Sequence, residues 1–287
     1  MNNWVILILY LVLAPIVGGL LTGLDRIVSA RMQGRVGPPL LQPFYDVFKL
    51  FGKESISVNR QQNFYVVCFF IFIVFTGALF FEGKDLLLVI FALTLASIFL
   101  ILGGYASNSP YSYIGAEREL IQIMSYEPMV LITAIGMYMV TKSFAITDII
   151  GAGLPAIIFM PGIFIGFVFI LTIKLRKSPF DLSMSHHAHQ ELVKGLTTEF
   201  SGPTLALIEV AHWYENVFLL GFVYLFFAWS WQWSFIVAIV ACLVVYLLEV
   251  FLDNSEARVK WQVAFKSSWL IAATLGVVNL VILYFIK

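Results

Sequence analysis

Four polar side chains interrupt one long apolar stretch of this sequence: Glu209, His212, Glu215 and Asn216, at i, i+3, i+6 and i+7. On a helix that spacing gathers them into a polar stripe. A second apolar stretch carries Glu119 and Glu127, at i and i+8, a spacing that reads as nearly one helical face and one shared polar track, and a third carries Glu249. Carboxyl groups in such surroundings either pass protons or small cations along a hydrated path or tie neighbouring helices together by hydrogen bonds. Glu127, Glu209 and Glu215 lie deep in their stretches, exceed what packing requires and favour the ion path. Glu119 and Glu249 lie nearer the ends, where a carboxylate can also simply reach water. Metal chemistry is poorly supported. Glu209-x-x-His212 has the spacing of half a di-iron carboxylate site, but the chain has no second Glu-x-x-His. His212 is the sole histidine in an apolar stretch, and bis-His haem ligation needs two. Cys68 and Cys242 are separate residues within apolar runs, which excludes a CxxC knuckle, a Cys-ligated cluster and a disulfide scaffold. Any redox centre is expected on another chain.

The elements that carry these groups follow from composition. Of 287 residues, 61% are hydrophobic and 12% charged, with a mean hydropathy of +0.93, which is a bilayer composition. A hydrocarbon core of roughly 30 Å needs about 20 apolar helical residues. Eight segments qualify, near Trp4–Leu24, Phe64–Phe81, Leu86–Ala106, Glu119–Val140, Leu154–Ile173, Thr204–Ala228, Phe235–Leu252 and Ser268–Phe285. The first lacks a basic n-region and a small-residue cleavage site and reads as a retained span. The runs are continuous, without the polar alternation of a barrel strand. The expected fold is an all-α polytopic membrane protein, a single membrane domain over 1–287, with both termini outward.

Charge placement supplies that orientation. The 17 basic and 17 acidic residues cancel, so the total points to no nucleic-acid partner. Fourteen of the 17 bases fall in the connections after spans 1, 3, 5 and 7, leaving Lys84, Lys142 and Lys287 on the other side. By the positive-inside rule the four basic connections face the cytoplasm, and the protein belongs in the cytoplasmic (inner) membrane. In the first connection, Phe44, Val47, Phe48 and Phe51 recur at i, i+3, i+4 and i+7, opposite Asp46, Lys49 and Lys53. This predicts an amphipathic helix over about 43–52 lying in the membrane interface, with Pro43 in its first turn and Gly52 at its end. The third connection, about 174–203, is far more polar than a turn needs. It holds Asp181, Glu191 and Glu199 together with His186, His187 and His189, a cluster better suited to solvent, a partner or proton collection than to zinc.

Several runs together resemble a known family: the membrane subunit that complex I (its NuoH-type subunit) shares with energy-converting nickel–iron hydrogenases. They are Gly34-Arg-Val-Gly-Pro38, Leu41-Gln-Pro-Phe44 and Lys49-Leu-Phe-Gly-Lys-Glu54; Tyr105-Ala-Ser-Asn108, and Gly115-Ala116-x-Arg118 through Ser125-Tyr-Glu127; and Ser178-Pro-Phe-Asp181, Glu191-Leu-Val193 and Thr198-Glu-Phe-Ser-Gly202. The resemblance covers essentially the whole chain. Quinone-reducing members look different in three places. They carry a run of acids where this chain has Ser183-Met-Ser-His-His-Ala-His-Gln190. They have an acid where His212 stands, and an Arg/Pro-rich last connection in place of Asp253-Asn-Ser-Glu-Ala-Arg-Val-Lys-Trp261.

The resemblance therefore implies the hydrogenase branch, in which ferredoxin-derived electrons reduce protons to hydrogen. In such assemblies this chain makes no bonds itself and carries no cofactor. The nickel–iron centre and iron–sulfur clusters belong to peripheral hydrogenase large and small subunits and a ferredoxin-like iron–sulfur subunit, and an antiporter-like membrane subunit moves H+ or Na+. Carried over by position, Asp181, Glu191 and Glu199 are loop acids near the peripheral arm, and Arg118 and Glu127 match the span 4 motif. Arg35, Asp46 and Lys49 are supporting or interface residues. The alternatives are a quinone-binding subunit of a complex I-like oxidoreductase, formate hydrogenlyase as a near neighbour, a stand-alone transporter, for which inverted repeats are expected but not found, and a purely structural anchor.

Overall fold

The computed structural model describes residues 3–57, 59–177, 179–180, 183–184 and 191–286. Its helices are α1 (Asn3–Met32), α2 (Gln42–Phe51), α3 (Arg60–Phe81), α4 (Leu86–Ala106), α5 (Pro110–Thr141), α6 (Ile146–Ile150), α7 (Pro161–Lys174), α8 (Gly202–Phe227), α9 (Ser234–Ser255), α10 (Trp261–Ile271) and α11 (Val278–Ile286). Short 3-10 turns lie at Ala156–Ile158 and Gly195–Thr197. Among the described residues the only extended pairing is two isolated bridges, Asp85 with Ala145 and Phe180 with Val259.

Helix starts follow local sequence chemistry. Asp85 accepts from the backbone of Leu87 and Leu88 at 2.8 and 3.3 Å, and Asn59 accepts from Gln61 at 3.1 Å, each satisfying amides that have no intrahelical partner. Pro110, Pro161 and Pro203 occupy the first turns of α5, α7 and α8, where a missing N–H costs nothing.

Among the described residues, seven helices are long and apolar enough to cross a membrane: α1, α3, α4, α5, α8, α9 and the continuous rod Trp261–Ile286. The expected fifth span, Leu154–Ile173, is a shorter pass made of the turn Ala156–Ile158 and α7, which carries the chain from Ala152 at one end of the bundle to Pro179 at the other, so eight passes remain. Pro161 sets the start of α7, leaving 14 residues, about 21 Å of helix. α1 is longer than its apolar run, about 45 Å for 30 residues, and its last turns carry Asp25, Arg26 and Ser29 beyond the apolar segment. The terminal rod contains a π-turn at Ala272–Val277. Its Gly276 lies against Ile132 and Met129 of α5, where a Cβ would meet their side chains at 3.1–3.2 Å.

α8 is the central helix, with 61% of its apolar window buried, against 22% for α1 and for the terminal rod. Phe80 of α3, Phe167 of α7, and Phe218, Phe222 and Phe226 of α8 form its aromatic core, with ring centroids 5.2–5.8 Å apart. Backbone hydrogen bonds pin both ends of the bundle. At one end Leu86 donates to Phe144 (2.9 Å), Ile146 to Lys84 (3.2 Å) and Ser230 to Ala152 (2.9 Å). At the other, basic end, Val259 donates to Pro179 (2.6 Å) and Leu196 to Ser183 (3.1 Å). Gly115 of α5 is required there, because a Cβ would lie 2.2 Å from the Leu196 amide nitrogen.

Candidate functional site, a charged cavity at the basic end

The C-terminus of α7 organises the site. Cations suit a helix C-terminus, where the last carbonyls are unpaired, and Lys174-Leu-Arg176-Lys177 places three there. Arg176 turns the chain with a left-handed backbone, φ 56°, so the three side chains diverge. Lys174 Nζ lies 2.8 Å from Glu215 Oε1 of α8, both buried, and 4.5 Å from the centre of the Tyr126 ring on α5. Arg176 donates to the His212 ring and lies 3.8 Å from Glu119. A guanidinium only donates, so the nitrogen it addresses accepts. Lys177 bonds Asp25 of α1 and lies 3.8 Å from Asp253 of α9. Three closely spaced cations thus connect acids on α1, α5, α8 and α9.

These groups open onto a cavity of about 540 Å³ whose wall includes Asp25, Arg26, Arg35, Lys174, Arg176, Lys177, Glu209, His212, Glu215, Asn216 and Asp253. The stripe on α8 is therefore assembled on one wall, with Glu209 also lining a second cavity beside α2. Glu119 and Glu127 do not share a track. Eight residues advance about 80° beyond two full turns, so Glu119 accepts from Ser183 and faces Arg176, while Glu127 turns to α4 and accepts from Thr94 at 3.0 Å.

Glu249 of α9 is completely buried, and neither carboxyl oxygen has a hydrogen-bond partner among the described residues. Its polar neighbours are Thr172, Lys177 and Asp253. Above the cavity, Glu191 is held by Arg118 at 2.5 Å and Arg258 at 3.1 Å, and Arg118 lies 5.6 Å from the centre of the Trp261 ring. Glu199 engages through its backbone carbonyl, which accepts from Gln62 at 3.1 Å, and its carboxylate lines neither cavity. Asp181, His186, His187 and His189 lie outside the described residues.

On the first connection, the amphipathic helix is α2. Asp46 accepts from Arg26 at 2.7 Å and from Gln42 at 2.8 Å. Partial burial opposes its ionisation, but these hydrogen bonds and the charges of Arg26 and Lys49 hold its carboxyl below the ordinary carboxylate range. Arg35 is exposed and donates to Gln33. Among the described residues no group of three His, Cys, Asp or Glu side chains converges to hold a metal ion.

Asp25, Lys174, Arg176, Lys177 and Asp253 are the site residues that sequence reasoning does not single out. The bases count there only as topology markers, although three cationic positions in four at the end of a span are a visible signal.

The fold and the cavity define a polytopic membrane protein with a cluster of paired ionisable side chains at its basic end. Residues 4–284 match the model of the NADH dehydrogenase family, and the chain belongs to that family, whose members are subunits of oxidoreductase complexes. It is 30% identical to the NuoH-type subunit of the NADH-quinone oxidoreductase of Geobacillus kaustophilus, over 98% of this chain and 92% of that one. It is 27% identical to hydrogenase-4 component C of Escherichia coli, over 92% and 89%. A chain in the structure of the membrane-bound sulfane sulfur reductase, an archaeal respiratory membrane complex, shares the fold, with a TM-score of 0.84 at 23% identity over 97% of this chain and 100% of that one. The protein is thus a membrane subunit of a complex I-like or hydrogenase-type complex.

Proposed function

We propose that this chain is the membrane-anchoring and ion-translocation-coupling subunit of a ferredoxin-dependent, hydrogen-evolving energy-converting nickel–iron hydrogenase. Its basic end is the cytoplasmic side of the inner membrane and carries the peripheral arm, and both termini face outward. The observation that carries the coupling role is the divergence of Lys174, Arg176 and Lys177 onto acids of four helices. These cations stand at the root of the 174–203 connection. A charge or position change in that connection, driven by electron transfer in the arm, acts on Glu215, Glu119, Asp25 and Asp253 together. Moving one elementary charge against 100 mV requires about 2.3 kcal/mol, which is the work the network must pass on for each ion moved.

The hydrogenase branch is favoured by the cavity's chemistry. Five bases and four acids line it, and His212, bonded to Arg176, stands on its wall. Those charged groups favour water and ions on their side of the cavity, while Leu175, Met184, Trp213 and Tyr246 make up an apolar part of the wall. The second reading, a quinone-binding subunit of a complex I-like oxidoreductase, draws on the 30% identity to the NADH-quinone oxidoreductase chain of Geobacillus kaustophilus. Gentle purification of the intact complex, followed by metal and quinone analysis, separates them. Nickel with iron, no bound quinone and hydrogen evolution from reduced ferredoxin are expected. Bound quinone with inhibitor-sensitive quinone reduction, and no nickel, would replace the first reading with the second.

A further inference from the structure

A second cavity, about 260 Å³, lies between α2, the start of α8 and the connection that precedes α8. Lys49 of α2 and Lys53 just beyond its end reach it from one side and Lys194 from the connection before α8, joined by Arg26 of α1. Arg26 is neutralised by Asp46 at 2.7 Å. Among the described residues, none of the three lysines forms an ion pair, and Glu209 is the one further acid on the wall. The cavity therefore holds an excess of two positive charges.

The backbone is built to keep those lysines together. Lys194 takes a left-handed conformation, φ 58°, which an L-residue adopts only where its surroundings hold it. The hydroxyl of Tyr111 clamps the preceding residue, accepting from the Val193 amide at 2.9 Å and donating to its carbonyl at 3.0 Å. The segment after α2 is fixed to the start of α8, where Gly202, at φ +53°, lets the Lys53 and Glu54 carbonyls approach to 3.2 and 2.5 Å from where its Cβ would be.

The cavity's other walls are apolar. Val47, Leu50 and Leu205 line it, while Tyr45, Phe48 and Phe51 stand exposed on the outer side of α2, Phe48 at 71%. An amphipathic helix with such a face sits at the depth of the lipid headgroups.

We propose that this cavity binds the phosphate headgroup of an anionic glycerophospholipid, with Lys49, Lys53 and Lys194 holding the phosphodiester oxygens and the acyl chains leaving past Phe48 into the bilayer. Phosphate is the shared chemistry of a lipid headgroup and free inorganic phosphate. The apolar flank and interfacial depth favour the lipid, and they also favour it over an acidic segment of a partner protein. Basic pockets at this face of membrane proteins are a common means of lipid selection. The inference is independent of which redox arm the chain carries.

The test uses the full complex reconstituted in nanodiscs of equal phosphatidylglycerol and phosphatidylcholine, with co-purifying lipid quantified after detergent extraction. Retention of phosphatidylglycerol over phosphatidylcholine is expected. It should fall about fivefold for each of Lys49→Ala, Lys53→Ala and Lys194→Ala and about a hundredfold for the three together. The three Arg substitutions should preserve it, with thermal unfolding checking that every variant is folded. No preference in the parent complex, or an undiminished preference in the folded triple Ala variant, would overturn the proposal. So would binding of inorganic phosphate to the parent complex without retained phosphatidylglycerol.

Discussion

Replacing Lys174 by Met and Glu215 by Leu, singly and together, tests whether the pair holds the bundle or serves its function. Both side chains are almost fully buried, 6% and 5% exposed, at 2.8 Å. Losing one partner leaves an uncompensated buried charge, a cost of about 3–5 kcal/mol. Lys174→Met also removes the cation from the Tyr126 ring, a further ~0.5–2 kcal/mol, with Arg176 the remaining positive charge near Glu215. Removing both charges and filling the space with apolar atoms is expected to be near neutral or mildly stabilising, because two desolvation costs disappear together. Thermal unfolding of the purified chain, read by tryptophan emission, should lower Tm by roughly 10 °C in each single variant, at about 2–4 °C per kcal/mol, and return close to the parent value in the double variant. Single variants within ~1 kcal/mol of the parent, or a double variant as unstable as the singles, would refute the reasoning.

Glu249→Gln removes a carboxyl group that has no hydrogen-bond partner among the described residues and should change unfolding stability by less than about 1 kcal/mol or raise it; a large loss would mean that an unrecognised contact holds this side chain. Glu191→Gln weakens the clamp from Arg118 and Arg258, and because Glu191 is 45% exposed the effect is about 0.2–1 kcal/mol and diminishes with salt. Faster hydrogen exchange at residues 191–197 is the expected readout, and unchanged exchange counts against the clamp. Asp46 has its carboxyl held below the ordinary range, so its tether to Arg26 is complete above about pH 3.9 and is lost as the pH falls through the lower folded value. Phe44 packs on Trp213 at 5.0 Å, so a shift of Trp213 emission should occur only below that point; a transition near neutral pH would contradict the assignment.

Much of the fold is legible because continuous apolar runs have few alternatives in lipid: α3, α4, α8 and α9 begin and end within four residues of the sequence-based spans. The short amphipathic helix α2 is legible too, since its period and Pro43 agree. Other features are not. Span 5 reads as one apolar run, but hydropathy does not register that Pro161 fixes where the helix begins. The extension of α1 to Met32 is polar, so Asp25 looks like loop although helical geometry carries it to Lys177. The π-turn in the terminal rod depends on packing against α5, which periodicity does not record. At the site, acids stand out in an apolar sequence, while topology alone accounts for the bases at the end of α7 and leaves their pairing unread. The separation of Glu119 from Glu127 follows from about 80° of helical rotation, which a two-turn spacing conceals.

The central claim is that the charge network at the end of α7 couples redox turnover to ion movement. Its most direct test is ion uptake by inverted membrane vesicles carrying the complex with Lys174→Met and Glu215→Leu together, measured against hydrogen evolved from reduced ferredoxin. The account predicts that hydrogen evolution continues while ions moved per hydrogen fall toward zero. An unchanged ratio in a folded, assembled complex would contradict it.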